Sequence, residues 1–189
     1  MADTIVYLVR HAQSDFSVRE EMIRPLTPEG WESRPKVTEC LWNEGIEAIY
    51  SSPYKRALDT ISDFAGKKQL PVVECSGLGE RGAGTGWVTV EEFWYREEKS
   101  WHDPAFVFEG EESIGEVRAR ICPAFDQILS ENIGRKIAVA GHGTAFSVLL
   151  NSLDPTFDFE DYRRLCPRNP WIIKLTFRDK VLASREEML

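Results

Sequence analysis

Ile5-Val6-Tyr7-Leu8-Val9-Arg10-His11-Ala12-Gln13-Ser14 opens with five apolar or aromatic residues in a row and closes on polar ones. An unbroken run of this kind reads as a strand buried on both faces, the habit of parallel sheets. In open α/β sheets, ligands bind in the crevice beyond the carboxyl ends of the strands. Arg10 and His11 emerge at that end. An arginine there can bind an anion, and an imidazole beside it can act as nucleophile or base. Taken alone, the pair reads equally well as a surface Arg-His following a core strand.

The pattern recurs. Lys136-Ile137-Ala138-Val139-Ala140-Gly141-His142-Gly143-Thr144 is a second short apolar run ending in a histidine, here between glycines. Ala145 to Leu150 reads as the start of a buried helix, whose N-terminal N–H groups form a ready anion site. Between the two lies Ser51-Ser52-Pro53-Tyr54-Lys55-Arg56-Ala57-Leu58-Asp59-Thr60. Ile46–Tyr50 precedes it as a strand, Ser52-Pro53 starts a helix, and Arg56 falls in the first helical turn. Two histidines and two arginines thus each follow a strand end.

These segments resemble the motifs of the histidine phosphatase superfamily, the phosphoglycerate mutase-like family. Its Arg-His-Gly-Glu-Thr start stands here as Arg10-His11-Ala12-Gln13-Ser14, and its Leu-Thr-x-x-Gly as Leu26-Thr27-Pro28-Glu29-Gly30. Ser51 to Thr60 matches Ser-Ser-Pro-x-x-Arg-Ala-x-x-Thr throughout. Leu78-Gly79-Glu80, with Gly84, Gly86 and Trp87, matches the Leu-x-Glu segment. Gly110-Glu111-Glu112-Ser113 through Arg118 and Arg120 echoes Gly-Glu-Ser before an arginine-bearing helix, and His142-Gly143 closes the set. The motifs follow the family's order over residues 5 to 150. The resemblance implies a three-layer α/β/α sandwich around a mostly parallel sheet, with one antiparallel edge strand. It also implies one domain over residues 1–189, in which 74–113 is an insertion shaping the substrate pocket.

Composition narrows the function. With 42% hydrophobic and 29% charged residues, the chain has the make-up of a soluble globular protein. A net charge of -8 argues against nucleic acid or an anionic membrane as partner, and makes locally basic residues such as Arg10 and Arg56 more telling. Cys40, Cys75, Cys122 and Cys166 show neither metal-ligand spacing nor the density of a disulfide scaffold, so reduced thiols in a cytoplasmic protein are expected. No signal-peptide pattern or membrane-length apolar run is seen.

Further along, Gln13–Arg24 reads as a loop over the site, within which Ser17 stands where the family has a phosphate-contacting asparagine. Thr27 as N-cap and Pro28 at the first position begin a helix through Leu41, which Pro35 should kink or delay. A second helix is expected from Pro53 to about Ala65, and a short strand at Leu70–Val73. Val90, Phe93, Trp94, Glu97 and Trp101 form an amphipathic stripe with one polar break. It either faces the core or lines the organic half of a substrate. His102 reads as a surface histidine. A further helix spans 113–131, and a hairpin joins Trp171–Phe177 to Val181–Ser184.

A phosphomonoester dianion needs positioning and charge neutralisation. By resemblance, His11 is the nucleophile and Arg10 and Arg56 clamp the phosphate, with Ser17 and the Gly143 N–H as further contacts. His142 is a second, protonated imidazole, and Glu80 the general acid and base. The chemistry calls for neither metal nor cofactor. The leading expectation is a phosphatase acting through phosphohistidine on a small phosphate ester. Three alternatives stand beside it. A cofactor-dependent phosphoglycerate mutase would carry Glu-Arg-x-Tyr-Gly, of which Glu80-Arg81-Gly82-Ala83-Gly84 keeps only the first two residues. Small family members that dephosphorylate protein phosphohistidine tend to lack the long segment before Gly-Glu-Ser. A non-catalytic phosphate-binding or regulatory module would not need both histidines, both arginines and an acid.

Overall fold

The computed structural model describes residues 3–82, 84 and 88–189, so Gly86 and Trp87 of the Leu-x-Glu segment lie outside the described residues. The apolar run becomes β1 (Thr4–Arg10), in which Val6, Tyr7, Leu8 and Val9 are all 0% exposed. The chain continues through α1 (Pro28–Leu41), β2 (Ala48–Ser51), α2 (Lys55–Lys68) and β3 (Val72–Glu74). After a 3-10 turn at Ser76–Leu78 come α3 (Val90–His102), α4 (Ile114–Glu131), β4 (Lys136–Gly141) and α5 (Gly143–Leu153). It ends with α6 (Phe159–Leu165), β5 (Trp171–Arg178) and β6 (Val181–Glu187).

The six strands make one sheet in the order β3-β2-β4-β1-β5-β6. The first four run parallel, and the terminal hairpin adds β5 antiparallel to β1 with β6 at the edge. Alternation along the central strands splits the core in two. Tyr7, Val9, Ile49, Ala138 and Ile172 meet Val37 and Leu41 of α1 and Ile61 and Phe64 of α2. Val6, Leu8, Ile137 and Val139 meet α4, α5 and α6 on the other face. Helices on both faces make the three-layer sandwich expected. Because α1 follows β1 on one face and α5 follows β4 on the other, a crevice opens between these adjacent strands, the topological switch point of such sheets.

Local chemistry sets the helix starts. Thr27 accepts from the Gly30 N–H at 3.0 Å and donates to Gln13 Oε1 at 2.7 Å. A Cβ on Gly30 would lie 2.2 Å from the Gln13 carbonyl oxygen, so the Leu-Thr-x-x-Gly motif docks α1 against the loop leaving β1. Pro35 does not end α1, which continues to Leu41. Ser113 and Glu116 form a reciprocal capping box on α4.

Two readings were incomplete. The α3 stripe faces the core where Trp94 and Trp101 pack against α6, Trp101 stacking on Tyr162 at 5.2 Å, whereas Val90 is 74% exposed. Helix α6 was not foreseen. It is short and charge-rich, but Asp158 caps it by accepting from the Glu160 and Asp161 N–H groups. None of the four cysteines is paired, and among the described residues no helix is long and apolar enough to cross a membrane.

Candidate active site

Strand register brings the two histidines together. Arg10 pairs with Gly141 across β1 and β4, and the His11 N–H donates to the Gly141 carbonyl at 3.0 Å. The next residue of each strand is a histidine, and the two rings lie 5.3 Å apart, edge to face. The β2 end continues the same line, its Ser52 N–H donating to the Ala140 carbonyl at 2.9 Å.

His11 is held by its Nδ1 against the Ala12 carbonyl at 2.6 Å. A carbonyl only accepts, so Nδ1 carries the proton and Nε2 keeps its lone pair. That Nε2 accepts from Arg56 Nε at 3.3 Å. Burial, with Arg10 and Arg56 nearby, holds His11 well below the usual 6.5 and therefore neutral near pH 7.

The serine-rich motif now has physical content. The Ser52 hydroxyl and His142 Nε2 share a 2.8 Å hydrogen bond, Arg56 faces His11, and Ala57 packs in the core. Thr60 Oγ1 accepts from the Ala12 N–H at 2.9 Å, pinning the peptide that follows His11. Tyr54 sits edge-on to His142 at 4.9 Å. Ser52, Tyr54 and Thr60 carried no expected role. Their contacts run across the sheet end, which no local sequence pattern records.

Arg10 is anchored from its far side. Its Nη1 donates to the carbonyls of Leu165, Cys166 and Arg168 at 3.1, 2.6 and 2.6 Å, at and just beyond the end of α6. The guanidinium lies on Gly143, where a Cβ would come within 2.9 Å of Arg10 Cζ and Nε. Only glycine admits that approach. Among the described residues, Arg10 Nε and His142 Nδ1 are buried without a hydrogen-bond partner. As the first residue of α5, Gly143 has an N–H with no partner within the helix.

Glu80 reaches the same place. Its Oε1 accepts from the Ala145 N–H at 2.9 Å and its own neighbour Arg81 at 2.8 Å, and its Oε2 from the Thr144 N–H at 3.2 Å. The carboxylate thus caps the helix that His142 begins. Arg120 fixes the approaching loop by donating to the carbonyls of Gly77, Gly79 and Glu80 at 3.1, 2.8 and 2.9 Å, while pairing with Glu112 at 2.6 Å. The Arg81 side chain points elsewhere. It is buried against Glu97 at 2.6 Å, Ser100 and Glu111 at 3.1 Å, and the Glu112 carbonyl at 2.7 Å. Glu97, the polar break in the α3 stripe, also accepts from Tyr162 at 2.8 Å; burial raises its carboxyl despite Arg81.

Two expected residues differ in placement or state. Ser17 is exposed in a turn, its N–H donating to Asp15 Oδ1 at 2.9 Å. With the protein's own groups alone, burial and the cations Arg56 and Arg10 hold His142 well below 6.5, so its neutral form is favoured over the expected imidazolium. A dianion in the crevice would reverse that field. One unforeseen acid is present: Glu21, from the loop after β1, pairs with Arg56 at 2.8 Å and Arg24 at 2.6 Å. His102 is exposed, its Nδ1 near the Glu98 carbonyl at 2.8 Å. Among the described residues, no three His, Cys, Asp or Glu side chains converge as a cation site.

Chemically, the arrangement offers a neutral imidazole lone pair aimed at a guanidinium, a second imidazole 5.3 Å away, and a carboxylate fixed at the adjoining helix start. The sequence profile of the histidine phosphatase superfamily (branch 1) matches residues 6–186. An uncharacterized phosphatase, PhoE of Bacillus subtilis, is 25% identical over 154 residues, covering 79% of this chain and 77% of that protein. Among solved structures, the mycobacterial glucosyl-3-phosphoglycerate phosphatase superposes with a TM-score of 0.76 at 20% identity, covering 98% and 97% of the two chains. A phosphoserine phosphatase variant from Entamoeba histolytica, in complex with phosphoserine, does so with a TM-score of 0.76 at 23% identity, covering 96% of each. The chain belongs to branch 1 of the histidine phosphatase superfamily, and it is a phosphatase.

Proposed function

We propose that the protein hydrolyses a small phosphomonoester through a phosphohistidine at His11, without a metal ion. The observation that carries this is the orientation of His11: Nδ1 is committed to the Ala12 carbonyl, and the unprotonated Nε2 accepts from Arg56. Arg10, Arg56 and the Gly143 N–H hold the phosphoryl oxygens, and Ser17 lies on the loop that would close over them. Nε2 attacks phosphorus as the ester P–O bond breaks, and protonated Glu80 gives its proton to the departing oxygen. Glu80, now a carboxylate, takes a proton from water as that oxygen attacks phosphorus. The N–P bond breaks, returning neutral His11 and inorganic phosphate. His142, once a dianion is bound, stabilises charge on the equatorial oxygens.

On this reading residues 1–189 act as one domain, and the 74–113 segment delivers Glu80 and shapes the leaving-group side. The substrate is a soluble metabolite met in the cytoplasm, not a nucleic acid or a membrane. A mutase would need cations for a second anionic group. The candidates near the site are engaged internally: Arg81 with Glu97 and Glu111, and Arg120 with Glu112 and three carbonyls. The test is phosphate release from p-nitrophenyl phosphate in excess EDTA, wild type beside His11→Ala, followed by trapping of an acid-labile 32P-labelled intermediate. EDTA-resistant turnover lost in the variant supports the proposal. Turnover that persists in the variant, or that EDTA abolishes, refutes it.

A further inference from the structure

The loop after β1 brings an acid to the phosphate clamp. Arg56 is 2% exposed, and each nitrogen of its fork makes one hydrogen bond, three of its five N–H groups in all. Nε faces His11 Nε2 at 3.3 Å, Nη1 donates to the Glu21 carbonyl at 2.7 Å, and Nη2 to Glu21 Oε2 at 2.8 Å. The other carboxylate oxygen is paired with Arg24 at 2.6 Å, and the Glu21 side chain is 30% exposed. Glu21 therefore holds the Arg56 nitrogen beside the one that faces the imidazole, where a phosphoryl oxygen on His11 would have to bind.

A carboxylate and a phosphate held on adjoining N–H groups of one guanidinium repel strongly where water is scarce. We infer that Glu21 is a specificity-determining residue. It competes with phosphate for Arg56 and, once displaced, remains at the rim on Arg24, where its charge selects against esters bearing a second anionic group. This rests on the phosphatase reading, since it takes the crevice as the phosphate site. Arg24 gives the displaced carboxylate somewhere to stay, so the negative charge does not leave the entrance. The inference predicts a preference for neutral or amine-bearing leaving groups over carboxylate-bearing ones.

Glu21→Gln keeps the shape and an acceptor for Arg56 while removing the charge. Inorganic phosphate is titrated calorimetrically into wild type and variant at fixed ionic strength, and kcat/KM is compared for 3-phosphoglycerate and p-nitrophenyl phosphate. The variant is expected to bind phosphate about tenfold tighter, the scale of one like-charge repulsion removed from beside the anion. Its kcat/KM should rise several-fold more for phosphoglycerate than for the nitrophenyl ester. Unchanged or weaker phosphate binding overturns the inference, as do equal gains on both esters. A loop merely loosened by the substitution would weaken phosphate, the opposite sign. Should neither ester be turned over, the phosphatase reading fails while the phosphate titration still judges Glu21.

Discussion

Lowering the pH from 7.5 to 5.5 should destabilise the fold through His11 and His142 together. Both are buried and held well below 6.5 by burial and neighbouring cations, so the folded protein keeps them neutral across this range. The unfolded chain does not, because each exposed imidazole takes up a proton as the pH falls through 6.5. The unfolded state then binds more protons, and stability declines as pH falls. Each such proton is worth about 1.4 kcal/mol per pH unit once the titration is complete. Over a window centred on 6.5, the two histidines together give a loss of roughly 3 kcal/mol. Urea unfolding at pH 7.5, 6.5 and 5.5, followed by tryptophan fluorescence, measures it. A His11→Asn/His142→Gln variant should lose most of the slope whatever its absolute stability. A double variant as pH-sensitive as the wild type would show that the buried imidazoles are not the titrating groups.

Three further outcomes are expected. Glu80→Gln should slow the burst of leaving-group release by ~10²–10⁴ on an alkyl phosphate but far less on p-nitrophenyl phosphate, whose leaving phenolate needs no proton, while steady-state turnover falls on both because water attack also uses Glu80; equal losses in the burst would remove Glu80 from the acid role. Glu97→Gln takes the 2.6 Å partner from Arg81 while Glu111 stays. Breaking a buried pair costs about 3–5 kcal/mol, so with one partner retained about 2–3 kcal/mol is expected, a fall in Tm of roughly 4–12 °C by calorimetry. Gly143→Ala would set a Cβ 2.9 Å from Arg10 Cζ, and three carbonyls on Nη1 prevent that side chain from sliding away. KM should rise and Tm should fall, since Arg10 can yield only by giving up carbonyl partners; an unchanged KM would contradict this.

The parts of the fold legible in the sequence were those where burial writes a local pattern. β1 and β4 are unbroken apolar runs because both their faces are covered, and Thr27, Ser113 and the terminal hairpin carry short-range signals. The family motifs located His11, Arg10, Arg56, Glu80 and His142, and the structure gathers all five at one sheet end. What escaped was long-range or short. Helix α6 has seven residues, and its apolar positions Phe159, Tyr162 and Leu165 give too few turns for a period to show. Glu97 interrupts an apolar stripe, and its buried partner Arg81 lies 16 positions away. Glu21 sits in a polar loop, where one acid looks like any other until Arg56 is found against it.

The sheet order has a consequence for how the protein is made. β1 leaves the ribosome before every other strand of its sheet, yet its two neighbours are β4 and β5, formed by residues 136–141 and 171–178. At ~5–20 residues per second, the fully apolar segment Val6–Val9 waits roughly 7–30 s for its first partner. For that time it is an unpaired hydrophobic edge, able to join another nascent chain as readily as its own β4. Yield in a cell should therefore depend on whatever shields this segment during synthesis, even when the finished protein is amply stable.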